Sequence, residues 1–187
     1  MKIQNALKKI SKPPSERSIE EQRDLNNNLI EAASEGNAET VNLLLDRGAD
    51  INAGDDRALT KAARKGQTEV VILLLDRGAD IHADDEMALR VAANNGHTET
   101  VNLLLGRGAD IHAGDDWALR WAANNDYTET ASLMLVHYNM KVKPETREFL
   151  KEHALDTFKI LEKRDLNEKL EATLKPKLPQ QERVIKI

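Results

Sequence analysis

The chain has five histidines and no cysteine, and that limits its bond-making chemistry. Without a thiol there is no disulfide, no thiolate metal site and no cysteine nucleophile. His82 and His112 have carboxylates beside them: Asp84 and Asp85 follow the first, Asp115 and Asp116 the second. Imidazole with carboxylate is a donor set for a divalent cation. The two histidines stand 30 residues apart, in equivalent places. If those places lie in neighbouring packed units, about 10 Å separates them. That is too far for one ion whose bonds to nitrogen are about 2 Å long. The spacing therefore assigns the histidines to turns and the aspartates to helix starts, and no metal or cofactor is expected. His137 and His153 have no partner set, and no glycine-rich phosphate loop occurs, so no catalytic residue is assigned and no enzyme is expected.

The other informative residues are of the contact type. Aligned by 30, one position reads Asn27, Arg57, Met87, Trp117. The next variable position reads Ile30, Thr60, Arg90, Arg120, and the one after it Glu31, Lys61, Val91, Trp121. Residues three and four apart share a helix face. Trp, Arg and Met are enriched at interfaces, and Trp and Arg at hot spots. Arg57, Lys61, Met87, Arg90, Trp117, Arg120 and Trp121 are thus the candidate partner-binding residues. The competing role for the tryptophans is packing between units. Arg57, Lys61, Arg64 and Lys65 form a basic island on one segment, followed in the later copies by the neutral pairs Asn94-Asn95 and Asn124-Asn125.

The elements that position these residues come from a repeated sentence. NAETVNLLLDRGADINAGDD at 37–56 returns at 67–86 and 97–116, and a worn copy starts at Tyr127. A fixed period of 30 residues marks a stacked array. Within each unit, Ala-Leu followed by Ala-Ala gives a first helix, and a stripe such as Val41, Leu44 and Leu45 a second. Gly36, Gly66, Gly96 and finally Asp126 end the first helices, and Gly48, Gly78 and Gly108 the second. Asp55, Asp85 and Asp115 are expected to cap the helix that follows, with Asp56, Glu86 and Asp116 favouring its dipole.

GADINA…ALTKAARKGQTEVVILLLDRGADI resembles the ankyrin repeat, over roughly residues 24–140. The motif T-P-L-H-x-A is replaced by Arg57-Ala-Leu-Thr-Lys-Ala62 and its copies, and three residues are missing before it. This is similar to the short 30-residue variant of giant viruses and host-associated bacteria. The resemblance implies an all-α solenoid of about four helix pairs (24–53, 54–83, 84–113, 114–143). It implies a non-enzymatic module that binds a protein through its concave first-helix face, with a host-directed effector as one form of that role. Within the short family, the aromatic-Ala-Leu-Arg-Trp string points to packing for Trp121.

Around the repeats at 18–143 the sequence suggests a basic leader at 1–17, a helical cap at 144–175 and a tail at 176–187. The cap comprises a degenerate fifth repeat to residue 164 and one more helix from Asp165 to Leu174. The alternative role is assembly, with these C-terminal helices pairing with another copy or complex. The leader carries a charge of +4 and the segment 175–187 +3, which leaves −12 for the body. An acidic body argues against nucleic acid and favours a basic protein surface as partner. The longest apolar run, Val70–Leu75, is too short to span a membrane. A monomer in a cytoplasmic or other intracellular setting is expected, with export into a host cell left open.

Overall fold

A computed structural model describes residues 16–174. The leader and tail expected from the sequence therefore lie almost wholly outside the described residues. The helices are α1 (Ile19–Glu35), α2 (Ala38–Asp46), α3 (Ala53–Arg64), α4 (Thr68–Asp76) and α5 (Ala83–Asn94). They continue with α6 (Thr98–Gly106), α7 (Ala113–Asn124), α8 (Thr128–Ser132), α9 (Pro144–His153) and α10 (Leu155–Leu174). A π-turn at Leu133–His137 extends α8. Among the described residues there is no strand.

The helices form two rows. In the first, α1, α3, α5, α7 and α9 each pack on the next; in the second, α2, α4, α6 and α8 do so, with α10 on α8. The fifth helix pair expected as a C-terminal cap is therefore present. The physical cause of the rows is the 30-residue identity of the core. Leu29, Leu59, Leu89 and Leu119 repeat through the first row, and Leu44, Leu74, Leu104 and Met134 through the second, all essentially without solvent access. Ala32, Ala62, Ala92 and Ala122 are fully buried between them. The small side chain lets neighbouring helices approach, and the leucine fills the space left over.

The helix ends explain the fixed residues. Ser18 Oγ accepts from the Glu21 amide, and the Glu21 carboxylate accepts from the Ser18 amide, a reciprocal cap that opens α1. Gly66 and Gly96 take φ of 68° and 70°. They also leave room for the next repeat: a Cβ on Gly66 would meet the His97 ring at 2.5 Å, and one on Gly96 the Tyr127 ring at 2.5 Å. Asp126 takes the same left-handed conformation, with φ 60°. Pro144 occupies the first turn of α9, as its fixed φ favours.

Three features differ from the sequence expectations. First, the joint between repeats is a left-handed turn. Gly54, Asp55 and Asp56 have φ of 65°, 58° and 54°, and Asp84-Asp85-Glu86 and Gly114-Asp115-Asp116 repeat this. A left-handed turn re-aims the chain in few residues, which accounts for the short repeat. Its non-glycine residues carry strain of about 1–2 kcal/mol each. Second, the aspartates at 85 and 115 do not cap helices. Asp85 pairs with Arg90 at 3.2 Å, and Asp115 with Lys143 at 2.7 Å. Third, α10 runs unbroken through Asp165, because Arg164 and Asp165 make tertiary contacts from within it. Arg164 Nη1 donates to the Leu135 and Met140 carbonyls at 2.8 and 2.6 Å. Asp165 accepts from Arg164 Nη2 at 2.8 Å and from Arg147 Nη2. These bonds satisfy one carbonyl in the π-turn and one just after it, and fix α10 on the last repeat.

Candidate protein-binding face

Turn chemistry fixes the register of the first-helix row. Asn26 Oδ1 accepts from the Asp50 amide at 2.9 Å, and Asp56 Oδ1 accepts from the Asp80 amide at 3.0 Å. Each link joins a polar side chain of one first helix to the turn that enters the next. Asp116 Oδ2 repeats this with the Lys143 amide at 3.3 Å. Glu86 turns instead to His82 Nδ1 at 2.5 Å, and Asp116 Oδ1 also meets His112 Nδ1 at 2.7 Å. The acids at 56, 86 and 116, expected at the helix dipole, are thus buried joints, with exposures of 4%, 4% and 0%. Burial pushes the Asp56 carboxyl up, against the lowering effect of the Asp80 amide. The hydrogen bond that the His82 imidazole donates to Glu86, followed by the negative charge of Glu86, holds that imidazole above its ordinary value. His82 and His112 therefore partner carboxylates within the turns, and their own amides donate to Asp80 and Asp110. Among the described residues no group of three or more His, Asp or Glu could hold a metal ion.

With the register fixed, the residues that vary between copies line up across α3, α5, α7 and α9. The Arg90 guanidinium lies 3.7 Å over the Trp117 ring. Trp117 meets Trp121 edge-on, with ring centroids 5.9 Å apart. Arg120 covers Phe149 of α9 at 4.6 Å. Such contacts combine cation–π attraction with a large apolar area.

The aromatic residues divide the face into two grooves. One, of about 290 Å³, is lined by Met87, Arg90, Val91, Asn94, Trp117 and Trp121. The other, of about 160 Å³, is lined by Trp117, Arg120, Trp121, Asn124 and Phe149. The sequence-derived set is thus gathered in two places. Met87, Arg90, Trp117, Arg120 and Trp121 surround these grooves, while Arg57 and Lys61 stand on α3 outside both, and Arg57 lines a separate pocket with α1.

Burial separates the two tryptophans, and not in the direction expected. Trp117 is half-buried between Arg90 and Trp121, whereas Trp121, expected to pack, is 39% exposed. The cause is the place of each on α7. Trp117 enters the row beside Arg90, and Trp121 stands one turn further on as the wall between grooves. Phe149 was not a candidate from the sequence, because α9 lies outside the 30-residue alignment. Its spacing of four residues from His153, on which it stacks at 4.7 Å, is the available signal.

No helix among the described residues is long and apolar enough to cross a membrane. No curated protein gives a significant match to the chain. The family model described as ankyrin repeats in three copies matches residues 4–85, 29–115 and 59–146. With the period, the paired helices and the two stacked rows, this shows that the chain belongs to the ankyrin-repeat family.

Proposed function

We propose that the chain binds a protein partner through its first-helix face, with the grooves on either side of Trp121 as the anchor. Ankyrin repeats are in general protein–protein interaction modules, and the family is typically non-enzymatic. The observation that carries the choice of face is Trp121. It is a large aromatic ring, 39% exposed, and it walls two apolar grooves built from residues that differ from copy to copy. The turns carry nearly the same residues in every copy, which suits a joint and not a specific reader. Exposed aromatic residues in grooves are the usual centres of binding energy.

The test is capture of a partner with the intact chain, followed by affinity measurements on two variants. Trp121→Ala should weaken binding by about 2 kcal/mol, roughly 30-fold, and leave the melting temperature within a few degrees. Trp117→Ala with Arg120→Ala removes ring contacts as well, so both affinity and melting temperature should fall. Unchanged affinity in well-folded Trp121→Ala removes this face from consideration.

A second reading, assembly through the C-terminal helices, rests on Leu166, Leu170 and Leu174. They form one stripe along α10 and are 65%, 55% and 71% exposed. Three leucines bury far less than the roughly 1,200 Å² that a stable interface needs. Light scattering decides between the readings: a monomer at high concentration leaves the first-helix face as the working surface.

A further inference from the structure

On α3, α5 and α7 the charge of the first-helix face is opposite to that of the whole chain, while α1 carries Glu31 at the place of Lys61. Residues 57–65, 87–95 and 117–125 contain six Lys and Arg and no Asp or Glu. The net charge of −5 therefore comes from elsewhere. At physiological salt a charge is screened beyond about 8 Å. A partner lying on the face meets the face's own charges, and the expectation of a basic partner, drawn from the net charge, does not apply there.

The cations are also unequal along the row. Arg90 and Arg120 at the grooves are engaged by rings, Arg90 by Trp117 and Arg120 by Phe149. Arg90 is further held by Asp85, and its side chain is only 13% exposed. On α3, Arg57, Lys61, Arg64 and Lys65 take part in none of the ion pairs among the described residues. Among the described residues α3 thus offers unpaired positive charge, and α7, two repeats on, offers apolar grooves.

The distance between the two sets a length. From α3 to α7 is two repeats, about 20 Å at a packing distance of about 10 Å per helix. An extended chain covers that in about six residues, at roughly 3.3 Å each. Building on the proposed role of this face, we infer that its partner is an acidic, extended protein segment. The carboxylates lie over Arg57 and Lys61, and an apolar or aromatic side chain about six residues away seats beside Trp121. The charged end steers and orients the segment, and the grooves anchor it.

The test uses fluorescein-labelled peptides with four glutamates, a five-residue Gly/Ser spacer and a Leu-Phe pair, made in both orders. Counterparts carry four glutamines or four lysines. Fluorescence anisotropy reads binding to the intact chain, and circular dichroism checks that each variant stays folded. The expected result is that the better glutamate peptide binds at least tenfold tighter than its glutamine and lysine counterparts. That preference should shrink on raising the salt from 50 to 300 mM and vanish in Arg57→Glu/Lys61→Glu. Trp121→Ala should weaken all peptides alike. Glutamine or lysine peptides binding as tightly as glutamate, or no saturable glutamate binding in either order, overturns the inference. If those peptides bind and still depend on Trp121, the face keeps its role and only the acidic chemistry is wrong. Binding indifferent to Trp121→Ala removes both.

Discussion

Leu74→Ala tests whether the 30-residue leucine ladder carries the fold. Leu74 is fully buried in α4. The substitution removes about two to three methylene equivalents, worth about 2 kcal/mol of transfer free energy at ~0.8 kcal/mol each. A cavity of about 60 Å³ adds about 1.5 kcal/mol at ~24 cal/mol per Å³. The sum, about 3.5 kcal/mol, falls within the usual ~2–5 kcal/mol for a core leucine. Leu43, 36% exposed on α2, is the control and should lose clearly less on the same change. Urea unfolding followed at 222 nm measures both. Repeat arrays can unfold in parts, so agreement of a second probe, tryptophan emission from Trp117 and Trp121, is needed before a single free energy is assigned. A loss below about 1 kcal/mol at Leu74, or a loss at Leu43 equal to it, refutes the reasoning that the ladder is the core.

Two further outcomes follow from the polar joints. Asp56 has its carboxyl pushed up from 3.8 by burial. A group raised in the folded state contributes stability below its unfolded value, and this is lost as pH rises through the folded value. Asp56→Asn should remove that loss and stabilise the chain at pH 7, because Asn26 already makes the equivalent bond with a neutral oxygen; melting temperatures at pH 4 and pH 7 measure it, and a variant less stable at pH 7 refutes it. Arg164→Ala leaves the Leu135 and Met140 carbonyls and Asp165 without its guanidinium, and should cost about 2–3 kcal/mol. Hydrogen exchange should rise first in residues 133–140, and uniform protection refutes the assigned role.

Much of this architecture is legible in the sequence because it recurs. The leucines at 30-residue spacing and the glycines at helix ends reveal rows, pairs and boundaries to within a residue or two. The joints are legible only in length. Three consecutive left-handed residues, two of them aspartate, contradict local propensity, since that conformation favours glycine. Only the stacking of the next repeat holds them there. Burial of Asp56, Glu86 and Asp116 was hidden for the same reason: next to other acids, they read as surface. At the candidate site, residue types identified the gathering of Met87, Arg90, Trp117 and Trp121. They could not rank the two tryptophans by exposure, because that depends on the Arg90 guanidinium crossing from the neighbouring helix. The continuity of α10 was missed because Arg164 and Asp165 look like the polar end of a helix until their distant partners are seen.

The second-helix row carries one more consequence. Thr68 Oγ1 meets Thr100 Oγ1 at 2.9 Å, and Thr98 Oγ1 meets Thr130 Oγ1 at 2.7 Å, with Thr100 and Thr130 buried. One repeat earlier, the corresponding positions are Ala38 and Val70, both apolar. Each unit therefore has a left and a right flank, and only some flanks match. Unit 84–113 carries Thr98 and Thr100, so a tandem duplicate of it keeps every hydroxyl partnered. A duplicate of unit 54–83 would set Thr68 against a valine, and a copy of unit 24–53 placed before the fourth would set Ala38 against buried Thr130. An unpartnered hydroxyl as buried as that of Thr130 costs about 1–3 kcal/mol, whereas Thr68 is half-buried and keeps the Gly66 carbonyl at 3.5 Å. A tandem copy of unit 84–113 therefore continues the hydroxyl ladder, and a tandem copy of unit 54–83 interrupts it.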